Sequence, residues 1–184
     1  MAPPEAGRLI LLLFLASLSM GFGALIVAYI VLRAQSETWP PPGTPPLPAG
    51  LWLSTGAILA SSGTMLMATA SVRRGRVRGM QLALVATLGL ALVFLVSQGV
   101  NWGLAVAARM PPGLNVFSVL FYLLTGLHGA HVLGGLVPLV VTTFRAYLGR
   151  YTSERHAGLH YCALYWHFVD VVWLVLFGVL WFAG

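Results

Sequence analysis

Long apolar stretches separated by short polar segments dominate the chain. Five of these stretches contain no Lys, Arg or Glu, and each reaches or exceeds the roughly 20 residues that a helix needs to cross a bilayer. They cover residues 9–32, 51–72, 80–107, 114–144 and 157–183. The last three are longer than a perpendicular helix requires, so we expect them to tilt or to extend beyond the hydrocarbon layer. The pattern predicts an all-α integral membrane protein, a bundle of five transmembrane helices forming one domain over residues 1–184.

Composition supports the membrane assignment and the distribution of charge predicts the orientation. Only 8% of the residues are charged, against roughly 25% in soluble domains. All ten basic residues are arginine. The eight that precede the first stretch or follow the second and fourth are Arg8, Arg73, Arg74, Arg76, Arg78, Arg145, Arg150 and Arg155. Because positive charge stays in the cytoplasm, the N-terminus is predicted inside and the C-terminus outside. We expect anionic lipid headgroups, and no nucleic acid, as partners of these arginines.

The segment from Trp39 to Pro48 connects the first two stretches on the predicted outer side. Six of its ten residues are proline, which favours an extended, stiff backbone. Trp39 and Trp52 lie at either end of this connector, where aromatic side chains suit the membrane interface.

Small residues spaced four apart predict close contact between helices, because they let the backbones approach in lipid. Three stretches carry such strips. The residues are Ser17 and Gly21, then Gly99 and Gly103, then Gly126, Ala130 and Gly134.

Histidines and one aspartate are the exceptional residues of the last two stretches. Ionisable side chains inside a bilayer are costly without partners and therefore indicate a functional site. His128 and His131 share one helix face, and a helix would place His156, His160, His167 and Asp170 within about 80° of arc. At about 1.5 Å per residue, His131 and Asp170 lie at similar depths of roughly 21 and 22 Å. We therefore predict a buried cluster of His128, His131, His167 and Asp170.

Several functions are compatible with such a cluster. Histidine is a common metal ligand, so a metal or haem site is one interpretation, and satisfied structural histidines are another. Lipid headgroups or a neighbouring subunit are a third. A proton or electron carrier would need ionisable groups throughout the membrane, and the first three stretches contain no Asp, Glu, Lys or His. A scaffold subunit of a larger complex is therefore favoured.

The same segments resemble the haem-copper oxidase subunit III family, most closely its cytochrome c oxidase type. The resemblance is carried by three segments of this sequence. These are Tyr165–Trp173 (YWHFVDVVW), Thr125–Val132 (TGLHGAHV), and Phe14–Ser17 (FLAS) followed by Ala28–Tyr29. The five predicted helices resemble the shorter bacterial forms, which lack the first two helices of the seven-helix members.

The resemblance implies a non-catalytic core subunit in a bacterial plasma membrane. It implies that haem and copper belong to partner chains, so no catalytic, cofactor-binding or metal-binding residue is expected in this chain. The implied partners are the catalytic subunit I, subunit II, a small subunit IV and phospholipids. The implied roles are packing on subunit I, lipid binding, and support of stability and sustained proton uptake. The candidate lipid or subunit-interface residues are His128, His131, His167, Asp170, Trp166 and Trp173, of which the two tryptophans share one helix face.

Three positions depart from the family pattern, because Leu18, Asn101 and His160 stand where the family often has glutamate. Roles that depend on those acids cannot be transferred to this chain. Two rival functions remain open. One is the third subunit of a quinol oxidase or an accessory subunit of a nitric oxide reductase, and the other is a stand-alone membrane carrier or haem-binding cytochrome.

Overall fold

The structure, a computed structural model, describes residues 4–182, and all regular secondary structure in that range is α-helical. Its helices are α1 (Pro4–Ala34), α2 (Gly50–Arg73), α3 (Val77–Ala107), α4 (Val116–Tyr147) and α5 (Ala157–Phe182). All five are long and apolar enough to cross a membrane. The predicted helix count and all-α class are confirmed, with ends within a few residues of the predicted ones. The predicted end at residue 183 lies outside the described residues.

Four of the helices form a closed ring. Helix α2 packs against α3 and α5, and α4 packs against the same two helices from the other side. Helix α1 lies outside this ring, against α5 and α4. Its buried apolar side chains are Leu15, Phe22 and Tyr29, which are seven residues apart and therefore lie on one face. The rest of α1 is mostly exposed, as expected for a peripheral helix in lipid.

Local backbone signals define the helix ends that position the bundle. Gly75 adopts a φ of +66° between α2 and α3, and the Arg76 N–H donates to the Ser71 carbonyl at 2.9 Å. A residue without Cβ suits this left-handed conformation. Helix α4 begins with a capping box, in which Asn115 Oδ1 accepts from the Ser118 N–H and Ser118 Oγ accepts from the Asn115 N–H. Both devices satisfy backbone groups that a helix end leaves without partners.

The proline-rich connector turns back on itself and is held to the bundle, so the prediction of an extended segment is only partly correct. The Thr44 N–H donates to the Pro41 carbonyl at 3.1 Å, and Asn115 Nδ2 donates to Thr44 Oγ1 at 2.7 Å. At the start of the connector, Trp39 Nε1 donates to the Tyr29 hydroxyl at 3.0 Å. These bonds fix the connector against α1 and the start of α4.

Two of the small-residue strips do not mediate contacts between the helices of this chain, and that prediction is wrong for them. A Cβ added at Gly21, Gly99 or Gly103 would meet no neighbouring atom within 4 Å. The close approaches occur instead at Gly50, where a Cβ would overlap Asn101 Oδ1, and at Gly135. The strips have the right spacing, but the rotation of each helix turns them outward.

Candidate functional site

The centre of α5 carries the ionisable pair that the sequence singles out. Asp170 lies near the middle of this helix and is 3% exposed. His167 lies one turn earlier, and its Nδ1 is 3.7 Å from Asp170 Oδ2 and 2.7 Å from Ser62 Oγ on α2. Neither carboxylate oxygen of Asp170 has a hydrogen-bond partner, nor has His167 Nε2. The pair therefore lies at the α2/α5 contact with part of its hydrogen-bonding capacity unused.

Trp166 and Trp173 of α5, which are seven residues apart, are bonded to hydroxyl groups of α2. Trp166 Nε1 donates to Ser61 Oγ at 3.0 Å, and Trp173 Nε1 donates to Thr55 Oγ1 at 3.0 Å. Both indoles are at most 1% exposed. A buried indole N–H needs an acceptor, and the two bonds fix how α5 is rotated against α2. Their position on one face follows from the seven-residue spacing.

The two histidines of α4 lie in an aromatic setting. The His128 ring is buried, with ring centroids 5.6 Å from Phe94 and 5.0 Å from Trp173. The His131 ring lies 5.1 Å from Phe22 of α1, and its Nδ1 is 2.7 Å from the Leu127 carbonyl. Neither ring nitrogen of His128 has a hydrogen-bond partner. These contacts make His128 and His131 part of the junction between α1, α3, α4 and α5.

The structure therefore divides the predicted four-residue cluster into two settings. His167 and Asp170 face a hydroxyl of α2, whereas His128 and His131 lie among aromatic rings. The reason is helix rotation, because the residues of one helix face are fixed by spacing but the neighbour that they meet is not. His128, Trp166, Trp173 and Asp170 are buried inside the bundle, and among the six candidates only His131 and His167 are partly exposed.

The remaining residues of the predicted polar stripe lie nearer the end of α5. His156 precedes the helix, with its Nδ1 3.3 Å from the Thr152 carbonyl, and His160 is exposed. Within α5, the residues of the stripe change from exposed at His160 to buried at Asp170.

A second polar group lies between α2 and α3, at one of the three positions where the sequence departs from the pattern it resembles. Asn101 is buried on α3 and its Nδ2 donates to Ser54 Oγ on α2 at 3.2 Å. Ser54 Oγ lies in turn 2.8 Å from Ser97 Oγ. The amide therefore joins α2 to α3 through hydroxyl groups and needs no buried charge.

A groove that the sequence did not indicate opens between α1, α4 and α5. Its volume is about 460 Å³. The walls include Leu11 and Phe14 of α1 and Pro138 of α4, and Arg145 lies at the end where α4 approaches its last turn. Arg145 also borders a second groove of about 570 Å³ on the neighbouring surface, together with Arg150. The combination of apolar walls and a terminal guanidinium is a chemical match for an anionic amphiphile.

Linear sequence contained only a weak signal for this groove. Arg145 lies at the end of a long apolar stretch, as do many arginines that serve topology alone. Arg145 differs from them because it borders the groove between α1, α4 and α5, and that groove depends on tertiary packing. Among residues 4–182, no three His, Cys, Asp or Glu side chains are arranged as a metal-binding group.

Comparison with known proteins agrees with the resemblance seen in the sequence. The family model for cytochrome c oxidase subunit III matches residues 5–184. A cytochrome c oxidase subunit 3 from Thermostichus vulcanus is 35% identical over 179 residues, covering 96% of this chain and 87% of the relative. The corresponding protein from Synechocystis is 35% identical over 176 residues, covering 95% and 74%.

A longer relative supports the same assignment. The cytochrome c oxidase subunit 3 of Marchantia polymorpha is 38% identical over 149 residues, which is 79% of this chain but only 55% of the relative. With five membrane-spanning helices and a family match over nearly its whole length, the chain belongs to the cytochrome c oxidase subunit III family.

Proposed function

We propose that this chain is the non-catalytic subunit III of a haem-copper terminal oxidase of the cytochrome c oxidase type. The observation that carries the proposal is the family match over residues 5–184. The packing of the α4 histidines supports it, because Phe94 and Trp173 occupy the space around His128. Haem and copper reside in the partner subunits, and this chain packs on catalytic subunit I together with subunit II and a small subunit IV.

The chain resides in the bacterial plasma membrane with its N-terminus in the cytoplasm. The arginine distribution supports this orientation, since Arg8, the α2–α3 turn and the α4–α5 segment all lie on one side of a five-helix bundle. Positive charge at that side favours retention in the cytoplasm and contact with anionic headgroups.

The groove at Arg145 binds a phospholipid. An acyl chain would lie against Leu11, Phe14 and Pro138, and the phosphate would meet the Arg145 guanidinium, whose planar donors suit phosphate oxygens. A lipid at this place would fill the space that α1 leaves against α4 and α5. It would support the stability of the complex and, through that, sustained proton uptake.

Exchange of Arg145 tests the lipid site. Arg145→Gln keeps a polar side chain and removes the charge, so the purified complex should lose one tightly bound phospholipid in native mass spectrometry. Arg74→Gln is the matched control, because Arg74 is exposed in the α2–α3 turn outside the groove. Equal lipid content in both variants would contradict the site.

Purification through a tag on this chain tests the subunit assignment. The expected result is co-purification of a large chain carrying haem and copper, and oxygen uptake with reduced cytochrome c. Oxygen uptake with quinol alone, or reduction of nitric oxide, would assign the chain to the rival complexes of the same superfamily. A partnerless protein, with or without its own haem, would contradict the proposal and favour a stand-alone carrier or cytochrome.

A further inference from the structure

The α2/α5 contact contains a buried carboxyl group, that of Asp170, next to a histidine. Asp170 is the only aspartate of the chain, it is buried, and both of its carboxylate oxygens lack hydrogen-bond donors. An isolated carboxylate in such a place is strongly disfavoured. The groups that interact with it are the His167 ring and the Ser62 hydroxyl. The charge state of Asp170 is therefore decided by these two side chains.

Among residues 4–182, His167 is the one ionisable side chain that interacts with Asp170. The titratable residues of α4 that pack toward α5 are His128 and His131, which lie among aromatic rings. In the described parts of α1 and α2, the arginines lie at the helix ends. Net neutrality at the centre of the bundle thus requires one proton on the Asp170–His167 pair, because zero protons leave one negative charge and two leave one positive charge.

We propose that Asp170, His167 and Ser62 form a proton-binding site that holds one proton shared across the α2/α5 contact. In one form His167 is an imidazolium and Asp170 a carboxylate. In the other, Nδ1 of His167 gives its proton to Ser62 Oγ while the Ser62 hydroxyl proton passes to Asp170 Oδ2. The products are a neutral imidazole, a neutral carboxylic acid and an unchanged serine, so atoms and charge balance.

The position of Ser62 supports its role in transferring the proton between His167 and Asp170. Its Oγ is 2.7 Å from His167 Nδ1, whereas Nδ1 and Asp170 Oδ2 are 3.7 Å apart, which is too far for a direct hydrogen bond. Neither Asp170 oxygen accepts a hydrogen bond in the structure, but Ser62 is one of the two side chains that interact with the Asp170 carboxyl. A hydroxyl donates one proton and accepts another, so Ser62 can bridge the two groups once its O–H turns toward Asp170.

The single aspartate makes the test site-specific. We would synthesise the full chain in vitro with ¹³C-labelled aspartate, insert it into phospholipid nanodiscs, and record the Asp170 carboxyl carbon by solid-state NMR at neutral pH. This measurement does not depend on any oxidase partner, so its failure is distinct from failure of the proposed function. The expected wild-type signal lies between the carboxylic acid and carboxylate limits. A wild-type signal at either limit would overturn proton sharing.

Variants on both helices complete the test. His167→Gln and Ser62→Ala should each move the signal to the carboxylic acid limit, because the buried carboxyl then keeps the proton. Thr69→Ala is the matched control on α2, since the Thr69 hydroxyl bonds only to the Leu66 carbonyl of its own helix, and it should leave the signal unchanged. An unchanged signal in both His167→Gln and Ser62→Ala would refute the proposal. Retained helix content by circular dichroism identifies the variants that fold.

Discussion

A methyl group at Gly135 should destabilise the contact between α4 and α5. A Cβ there would lie 2.7 Å from Tyr165 Cε1 and 3.4 Å from Trp166 Cζ3. The Tyr165 ring is not free to turn aside, because its hydroxyl donates to the His131 carbonyl at 2.9 Å and the ring stacks on Phe14. Gly135→Ala therefore forces either the ring or the helix to shift.

Gly134→Ala is the control, and comparison with it gives the expected loss of unfolding free energy in Gly135→Ala. Both Gly→Ala exchanges gain about 1 kcal/mol of helix propensity. At Gly134 a Cβ would meet only the Tyr165 hydroxyl, at 4.0 Å, so Gly134→Ala should keep that gain. At Gly135 the overlap should cost about 1–3 kcal/mol. The free energy of unfolding of Gly135→Ala should thus lie about 1–3 kcal/mol below that of Gly134→Ala, whatever the exact propensity.

Reversible unfolding of the full chain in mixed detergent and SDS micelles, followed by tryptophan fluorescence, measures this difference. In a Tyr165→Leu background, the cost of Gly135→Ala should fall, because the smaller side chain leaves room for the methyl group. Equal stability of the two alanine variants would refute the close approach of α4 and α5 at Gly135. So would an unchanged cost in the Tyr165→Leu background.

Three further outcomes are expected. A double-mutant cycle of Trp173→Phe and Thr55→Val, read by the same unfolding measurement, should give a coupling energy of about 0.6–1.7 kcal/mol, and no coupling would contradict the indole–hydroxyl bond. Gly50→Ala should lower the free energy of unfolding because the new Cβ would overlap Asn101. Adding Asn101→Ser should recover part of that loss. If the second substitution recovers none of it, the overlap is contradicted. Asp170→Asn should lower the yield or operating lifetime of the oxidase, checked by turnover assays, while its haem spectrum remains; an unchanged lifetime would contradict a supporting role for Asp170.

The helix count and class could be predicted from sequence because each span is a local property. A stretch of about twenty or more predominantly apolar residues is stable in a bilayer as a helix, and the five helices follow from that alone. The same holds for the shared face of Trp166 and Trp173, which is fixed by spacing. Nothing beyond hydropathy and helical geometry is required for these inferences.

The partners of the site residues could not be predicted, because they depend on how each helix is rotated about its axis. The sequence places His167 and Asp170 on one face of α5 but does not reveal that Ser62 of α2 lies opposite. Serine and threonine are common in membrane helices and bond to their own backbone, so Ser62 carried no distinct signal. The Arg145 groove likewise arises from the position of α1, which is a tertiary property.

The central claim is that this chain supports an oxidase without performing its chemistry. The most direct measurement compares the purified oxidase with and without this chain, recording the haem spectrum, the initial rate of oxygen uptake with reduced cytochrome c, and the decay of activity during turnover. The account predicts the same haem spectrum and substantial initial activity in both preparations, with faster decay when the chain is absent. A lower haem content per amount of protein in the enzyme that lacks this chain would contradict the account. So would a decay of activity identical to that of the complete enzyme.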